Sequence, residues 1–299
     1  MSEETTTQEA TTEEAVSLSN SLEERIEYWF AKGPQAIGAP EALAAFRHLR
    51  EALEAGEVRS AEPDPSAPTG WRVNAWVKRG ILLGFRLGHL VAVGNDAVLS
   101  CVDKHTFPTR RFTPEQNIRI VTGGSAVRAG AYLAPGVVVV PPAYVNTGSY
   151  IDEGTMVDSH ALVGSCAQIG KRVHLSAAAQ IGGVLEPINA SPVIIEDDAL
   201  IGGNTGVYEG TIVRTRAVLA AGVILTRGTP VYDLPNNTIL KATADTPLII
   251  PAGAVVVPGS RAITTEPGKT LGLSVYTPII VKYRDEKTDL STTLEDILR

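Results

Sequence analysis

Asp158 and His160 lie two residues apart in Met156-Val157-Asp158-Ser159-His160, a pairing of side chains suited to moving a proton. A carboxylate or an imidazole acts as general base when its pKa sits near the working pH, and histidine titrates there unaided. On residue type alone Asp158 has a second reading, a solvated corner residue, because aspartate is common in turns. Other chemistries are poorly provided for. The two cysteines, Cys101 and Cys166, make no disulfide framework and fit a reducing cytoplasm. A lyase-type zinc site needs three histidines, and the segment around Asp158 offers only His160 and His174, at different phases of its repeat. No metal site is expected.

What must position these residues is a repeat of six. Val127, Leu133, Val139, Val145, Ile151, Val157, Val163, Ile169, Leu175 and Ile181 form an unbroken ladder, resumed as Ile195, Ile201, Val207, Val213, Leu219, Leu225 and Val231. Four residues after nearly every rung stands a small or β-branched residue, among them Ala131, Val137, Ala143, Ser149, Thr155, Ala161 and Ala167. Six matches neither the helical period nor simple strand alternation. It is the period of a hexapeptide β-helix, in which three short strands make one coil and each rung stacks on the rung eighteen residues later. About six coils at ~4.8 Å each are expected. Known hexapeptide folds wind left-handed, against the usual crossover rule. The expected class is therefore mostly β, a left-handed parallel β-helix flanked by an N-terminal α/β domain and a small C-terminal β-rich segment.

The flanking regions divide the chain. Residues 1–20 hold five glutamates and no Lys or Arg, which reads as a disordered acidic tail rather than a targeting peptide. Residues 21–116 form a helical or α+β domain: Ser21-Leu22-Glu23-Glu24 spells a capping box, and Pro40 opens a second helix. Ala61 to Pro68 reads as a breaker-rich loop, Trp71 to Leu87 as helix, and Leu90 to Phe112 as short strands. The coils span 117–235, and 236–299 close the chain with strands near Ile250–Pro258 and Pro278–Tyr283 and a helix from Leu294. Between Ile181 and Ile195 the ladder gains two residues over two steps, so 182–194 should protrude as a loop. Its Val184, Leu185 and Ile188 need a cover, since exposed apolar residues are costly together. A net charge of −7 argues against nucleic acid, and no apolar run approaches a membrane span. An ice-binding or purely structural solenoid would show regular outward threonines, and the outward positions here are irregular.

Tyr144-Val145-Asn146, Asp152 to Asp158, Gly164 to Lys171, Val173 to Ser176 and Gly182-Gly183-Val184-Leu185-Glu186-Pro187 together resemble the tetrahydrodipicolinate N-succinyltransferase family of the bacterial diaminopimelate and lysine pathway. The likeness is tight from about Arg119 to Tyr232 and looser in Trp76 to Arg86. It implies succinyl transfer from succinyl-CoA, a co-substrate rather than a bound cofactor, to the amine of ring-opened tetrahydrodipicolinate, L-2-amino-6-oxopimelate. The alternatives are N-acetyl transfer to the same acceptor, or another CoA-dependent hexapeptide-repeat acyltransferase.

The resemblance assigns roles residue by residue. Arg119 matches the family's substrate-binding arginine, and a bidentate guanidinium suits an acceptor with two carboxylates; Arg128 is the alternative. Asp158 matches the acidic active-site position and would serve as base, bind the substrate's ammonium group, or both. Two departures stand out. His160 replaces a frequent tryptophan and is a rival base, and Gly206 stands where better-known members carry a second acid, with Glu209 the nearest substitute. Gly202 and Ala220, eighteen residues apart and each just after a rung, would leave one face clear for the pantetheine arm of CoA. The family implies a homotrimer with sites between subunits, covering the protruding loop, and a C-terminal segment from which Lys241 or Arg261 would reach the CoA phosphates.

Overall fold

Helix α1 (Leu22–Ala31) begins where the serine says it should. The Ser21 hydroxyl accepts the Glu24 N–H at 3.3 Å and the Glu24 carboxylate accepts the Ser21 N–H at 2.9 Å, a reciprocal cap that satisfies two otherwise orphan donors. Pro40 starts α2 (Pro40–Ala55), and α3 (Ala75–Leu87) follows. Their apolar faces meet in one core of Ile26, Phe46, Leu49, Leu53, Val77, Ile81 and Leu83, joined by Phe107. The structure, a computed structural model, describes residues 21–93, 101–188 and 190–284. The expected acidic tail and the expected last helix lie outside them.

Two short antiparallel pairs correct the expected boundaries. Strand β1 (Ala61–Pro63) occupies the start of the presumed loop and pairs with β2 (Trp71–Val73), which was expected to be helical. The Asn74 N–H is taken by the Ser60 carbonyl at 2.9 Å, and α3 starts only at Ala75. Pairing to β1 outweighs local helix propensity over those three residues. Strands β3 (Leu90–Val93) and β4 (Cys101–Lys104) form the second pair.

The repeat then takes over. Strands β5 (Arg119–Ile120), β6 (Ala126–Val127) and β7 (Tyr132–Leu133) each open a separate sheet, and from each of them up to the strand at Gly206–Val207 every strand pairs in parallel with the one three places on. Val127 lies opposite Val145, Leu133 opposite Ile151, and Val139 opposite Val157. The step is eighteen residues, as the ladder demands. All seventeen rungs are buried in a single core shared by the three sheets, and so is every small position except Thr229. Hydroxyls at the small position are satisfied at the corners: Thr155 donates to the Gly170 carbonyl at 2.7 Å and accepts the Val173 N–H at 3.0 Å.

Within the ladder, two irregularities lengthen the step, the second of them in all three sheets. Ile120 pairs with Val139, nineteen residues on, and the extra residue is taken up near Gly123 and Gly124, both at positive φ. Ile169 pairs with Ile195, twenty-six residues on. The protruding segment therefore inserts eight residues into one corner (26 − 18 = 8), instead of two residues added to a pair of rungs, and Val193 takes the buried small position. Covering is also local. Val184 is buried and Leu185 packs on the helical core of the same chain, so their shelter comes from within one subunit.

That shelter exists because residues 21–87 lie along the third sheet. The Arg59 guanidinium stacks 3.7 Å from the Tyr150 ring centroid and donates to Gln168 at 2.9 Å. Ser60 donates to the Cys166 carbonyl, and the Trp71 indole N–H donates to Glu196 at 2.9 Å. At the far end, a hairpin of Ala254–Ala262 and Ser274–Tyr283 adds to the first sheet, with Val255 opposite Val218.

Candidate active site

Asp158 occupies the corner between the first and second sheets. Its backbone N–H is spent on the Leu175 carbonyl of the next coil, so the residue is held in place before its side chain does anything. The carboxylate is 32% exposed: Oδ1 accepts the Ser159 N–H at 2.7 Å, and Oδ2 faces His174 Nε2 at 4.0 Å. Register brings the histidine there. Met156 and His174 are paired neighbours, so the outward residue of one coil sits beside the corner of the coil before. His160 is at the apex of the same corner, exposed, with φ of 62° and its N–H given to the Pro142 carbonyl. The imidazole that the fold sets against Asp158 is His174. Sequence reasoning quoted His174 in a motif but gave it no role; the signal was the eighteen-residue step itself.

Gly202 and Ala220 stack on this corner in successive coils, the Gly202 N–H donating to the Leu219 carbonyl at 2.8 Å. Gly202 is buried. A Cβ there would lie 2.6 Å from the Ala221 nitrogen and 2.7 Å from the Leu219 oxygen. The glycine thus answers to the spacing between coils, whereas Ala220 retains partial exposure.

The remaining candidates are apart from Asp158. Arg119 is exposed in a cleft of about 430 Å³ with Asn117 and Glu153. Arg128 is already engaged: its guanidinium pairs with Asp103 at 2.7 Å and lies over Phe85 and Phe107. Glu209 lines a larger cavity, about 680 Å³, at the next corner. One wall is the inserted segment, with Gly182, Gly183, Glu186, Pro187 and Ala190; the other is Tyr208, Glu209, Thr226 and Arg227. Glu209 accepts the Arg227 N–H at 2.8 Å, and the Arg227 side chain is tied to the Thr243 and Ala244 carbonyls. Lys241 and Arg261 are both exposed in the C-terminal segment. Among the described residues, no group of three or more His, Cys, Asp or Glu is arranged to hold a metal, and no helix is long and apolar enough to cross a membrane.

The sequence profile described as "Tetrahydrodipicolinate N-succinyltransferase N-terminal" matches residues 21–87, and that described as "Hexapeptide repeat of succinyl-transferase" matches 192–227. Proteins named 2,3,4,5-tetrahydropyridine-2,6-dicarboxylate N-succinyltransferase match far more of the chain. The one from Afipia carboxidovorans is 41% identical over 83% of this chain and 86% of its own length. That from Nitrobacter hamburgensis is 42% identical over 87% and 90%, and that from Leptothrix cholodnii 40% over 93% and 95%. The chain belongs to the 2,3,4,5-tetrahydropyridine-2,6-dicarboxylate N-succinyltransferase family.

Within that N-succinyltransferase family, the glycine at 206 has a structural cause in this chain. Gly206 is buried in the second sheet, and a Cβ added to it would sit 2.4 Å from the Tyr208 ring. Tyr208 fills the space that a side chain at 206 would need. The next acid along the chain is Glu209, one residue beyond the tyrosine.

Proposed function

We propose that this protein transfers the succinyl group of succinyl-CoA to the amine of ring-opened tetrahydrodipicolinate, L-2-amino-6-oxopimelate. The observation that carries this is the 40–42% identity with N-succinyltransferases over nearly the whole chain, helical region and repeat together. Asp158 takes a proton as the substrate amine attacks the thioester carbonyl. The C–N bond forms, the C–S bond breaks, and the CoA sulfur leaves and is protonated. A partly exposed carboxylate fixed by its own backbone, with the His174 imidazole 4.0 Å away, suits that role. Arg119 is the cation for an acceptor carboxylate, with His160 in support.

The coil is read as closed and left-handed, the winding known for hexapeptide repeats. The domain limits follow it: 21–116, 117–235 and 236–299. The donor's pantetheine is assigned to the corner at Ala220, with Gly202 permitting the close coil spacing, and Lys241 or Arg261 to its phosphates. Arg119, Asp158 and Glu209 lie at separate places on one chain, which suits a homotrimer whose sites form between subunits in the cytoplasm. The test is CoA release by the purified protein from succinyl-CoA with tetrahydrodipicolinate or L-2-aminopimelate. Acceptor-dependent release is expected; its absence, or a preference for acetyl-CoA, overturns the donor assignment. Light scattering should give three times the chain mass, and an active monomer would exclude shared sites.

A further inference from the structure

Helix α3 buries Val77, Ile81 and Leu83, and among them it also buries a lysine. Lys78 is 0% exposed. Taking an ammonium out of water is costly, and burial lowers the Lys78 pKa for that reason. Among the described residues it forms no ion pair with a carboxylate. Its Nζ donates instead to the Ala190 carbonyl, across 112 residues of sequence. Ala190 belongs to the eight-residue insertion and lines the 680 Å³ cavity opposite Glu209 and Arg227. A methionine would fill the same volume without a charge, so packing alone does not call for lysine here. A donor that reaches a loop carbonyl does.

The insertion has few anchors of its own kind. Among the described residues, 182–192 include no strand; Val184 N–H goes to the Ser165 carbonyl and Ala190 N–H to the Pro187 carbonyl within the segment. Leu185 rests on the helical core. We propose that Lys78 is a positioning residue, whose buried ammonium pins the 182–192 segment from behind so that its glycines and Glu186 wall the cavity at a fixed depth. The N-terminal helices thereby set the shape of a pocket formed by the repeat. The substrate class in that pocket rests on the acyl-transfer reading above; the pin itself does not.

Two readouts test this on the full-length protein. Lys78→Met should fold, and hydrogen exchange in peptides covering 182–192 should quicken about tenfold or more, while those covering 162–169 and 200–207 stay as they were. In acyl transfer with succinyl-CoA, the KM of one substrate should rise about fivefold or more with the other's unchanged and kcat reduced less. Lys78→Arg, which keeps a cationic donor, should recover part of both. Lys78→Gln keeps an amide but is one bond short of Ala190, and it should behave like Lys78→Met; it carries the test if the methionine variant does not fold. Unchanged exchange at 182–192 in a folded Met or Gln variant, or equal loosening across the whole chain, overturns the proposal. If the parent protein releases no CoA, the acyl-transfer reading fails by itself, and the exchange measurement still decides the pin.

Discussion

Asp158 Oδ2 and His174 Nε2 stand 4.0 Å apart, a carboxylate and an imidazole placed on adjacent coils by an eighteen-residue step. Both side chains are partly sheltered, 32% and 15% exposed, so their interaction is screened less than that of a surface pair. The arrangement gives the proposed base a neighbour whose charge depends on pH. His174 also lies between Met156 and Leu200 on the outer face of the first sheet.

Asp158→Asn keeps the shape of the corner and removes the base. The rate of acyl transfer should fall by roughly two to four powers of ten, with CoA affinity near normal. His160→Asn should cost much less. Steady-state kinetics with titration of CoA binding checks both, and a dead His160→Asn beside a normal Asp158→Asn would reverse the assignment.

Arg119→Lys preserves a cation in the cleft with Glu153 and loses the planar fork. The acceptor KM should rise about tenfold while kcat and the succinyl-CoA KM hold. An equal fall of kcat for every acceptor concentration would mean that Arg119 acts on the reacting atoms instead.

Glu196 should link stability to pH. Burial opposes its charge, yet the Trp71 indole, the Arg214 guanidinium and the Thr215 N–H all donate to it, and together they hold its pKa below the ordinary glutamate value. A lowered folded pKa contributes stability that is complete above the unfolded value of about 4.3 and is lost as pH falls through the folded one. Glu196→Gln should therefore cost about 2 kcal/mol at neutral pH, with the difference from the parent shrinking below about pH 4. Urea denaturation at the two pH values measures this. A difference that is the same at both would detach Glu196 from the acid limb.

Gly206→Glu introduces the acid that the family resemblance leads one to expect at this position, and in this chain it meets the Tyr208 ring. The single variant should lose about 1–3 kcal/mol, the usual cost of overpacking. Adding Tyr208→Ala should recover part of that loss, a coupling of about 1 kcal/mol or more in a double-mutant cycle. Additive effects would show that the ring is not what keeps glycine at 206.

Much of this was legible in the residues because the repeat is strict. A rung that must face inward every six residues leaves no freedom in register, so the pairing of Val127 with Val145 follows from the ladder alone. The same rule placed Gly202 and Ala220, eighteen residues apart, on one corner. What the ladder does not encode is which of three equivalent sheets the helices cover. That choice is made by single side chains, Arg59 on Tyr150 and Trp71 on Glu196, whose partners lie about a hundred residues away. The inserted loop was misjudged for a related reason: Ile181 to Ile195 admits more than one way of counting rungs, and the pairings of Ile169 with Ile195, Leu175 with Ile201 and Ile181 with Val207 decide among them. Gly202 read as an open groove floor because sequence shows that a side chain is missing, not which neighbour forbids it.

A stack of parallel strands has no intrinsic length, since each coil offers the next one a complete row of unpaired amides and carbonyls. In this chain the row on the first sheet is taken by Ala254–Ala262, whose other edge is already occupied by the antiparallel strand Ser274–Tyr283. Beyond it the sheet runs through Val231–Asp233 to the three-residue strand Thr238–Leu240, so copies that meet end to end along that sheet find a short edge in place of the parallel row. The hairpin thus acts as a terminator against filament growth, and chains truncated before Ala254 should be the ones that polymerise.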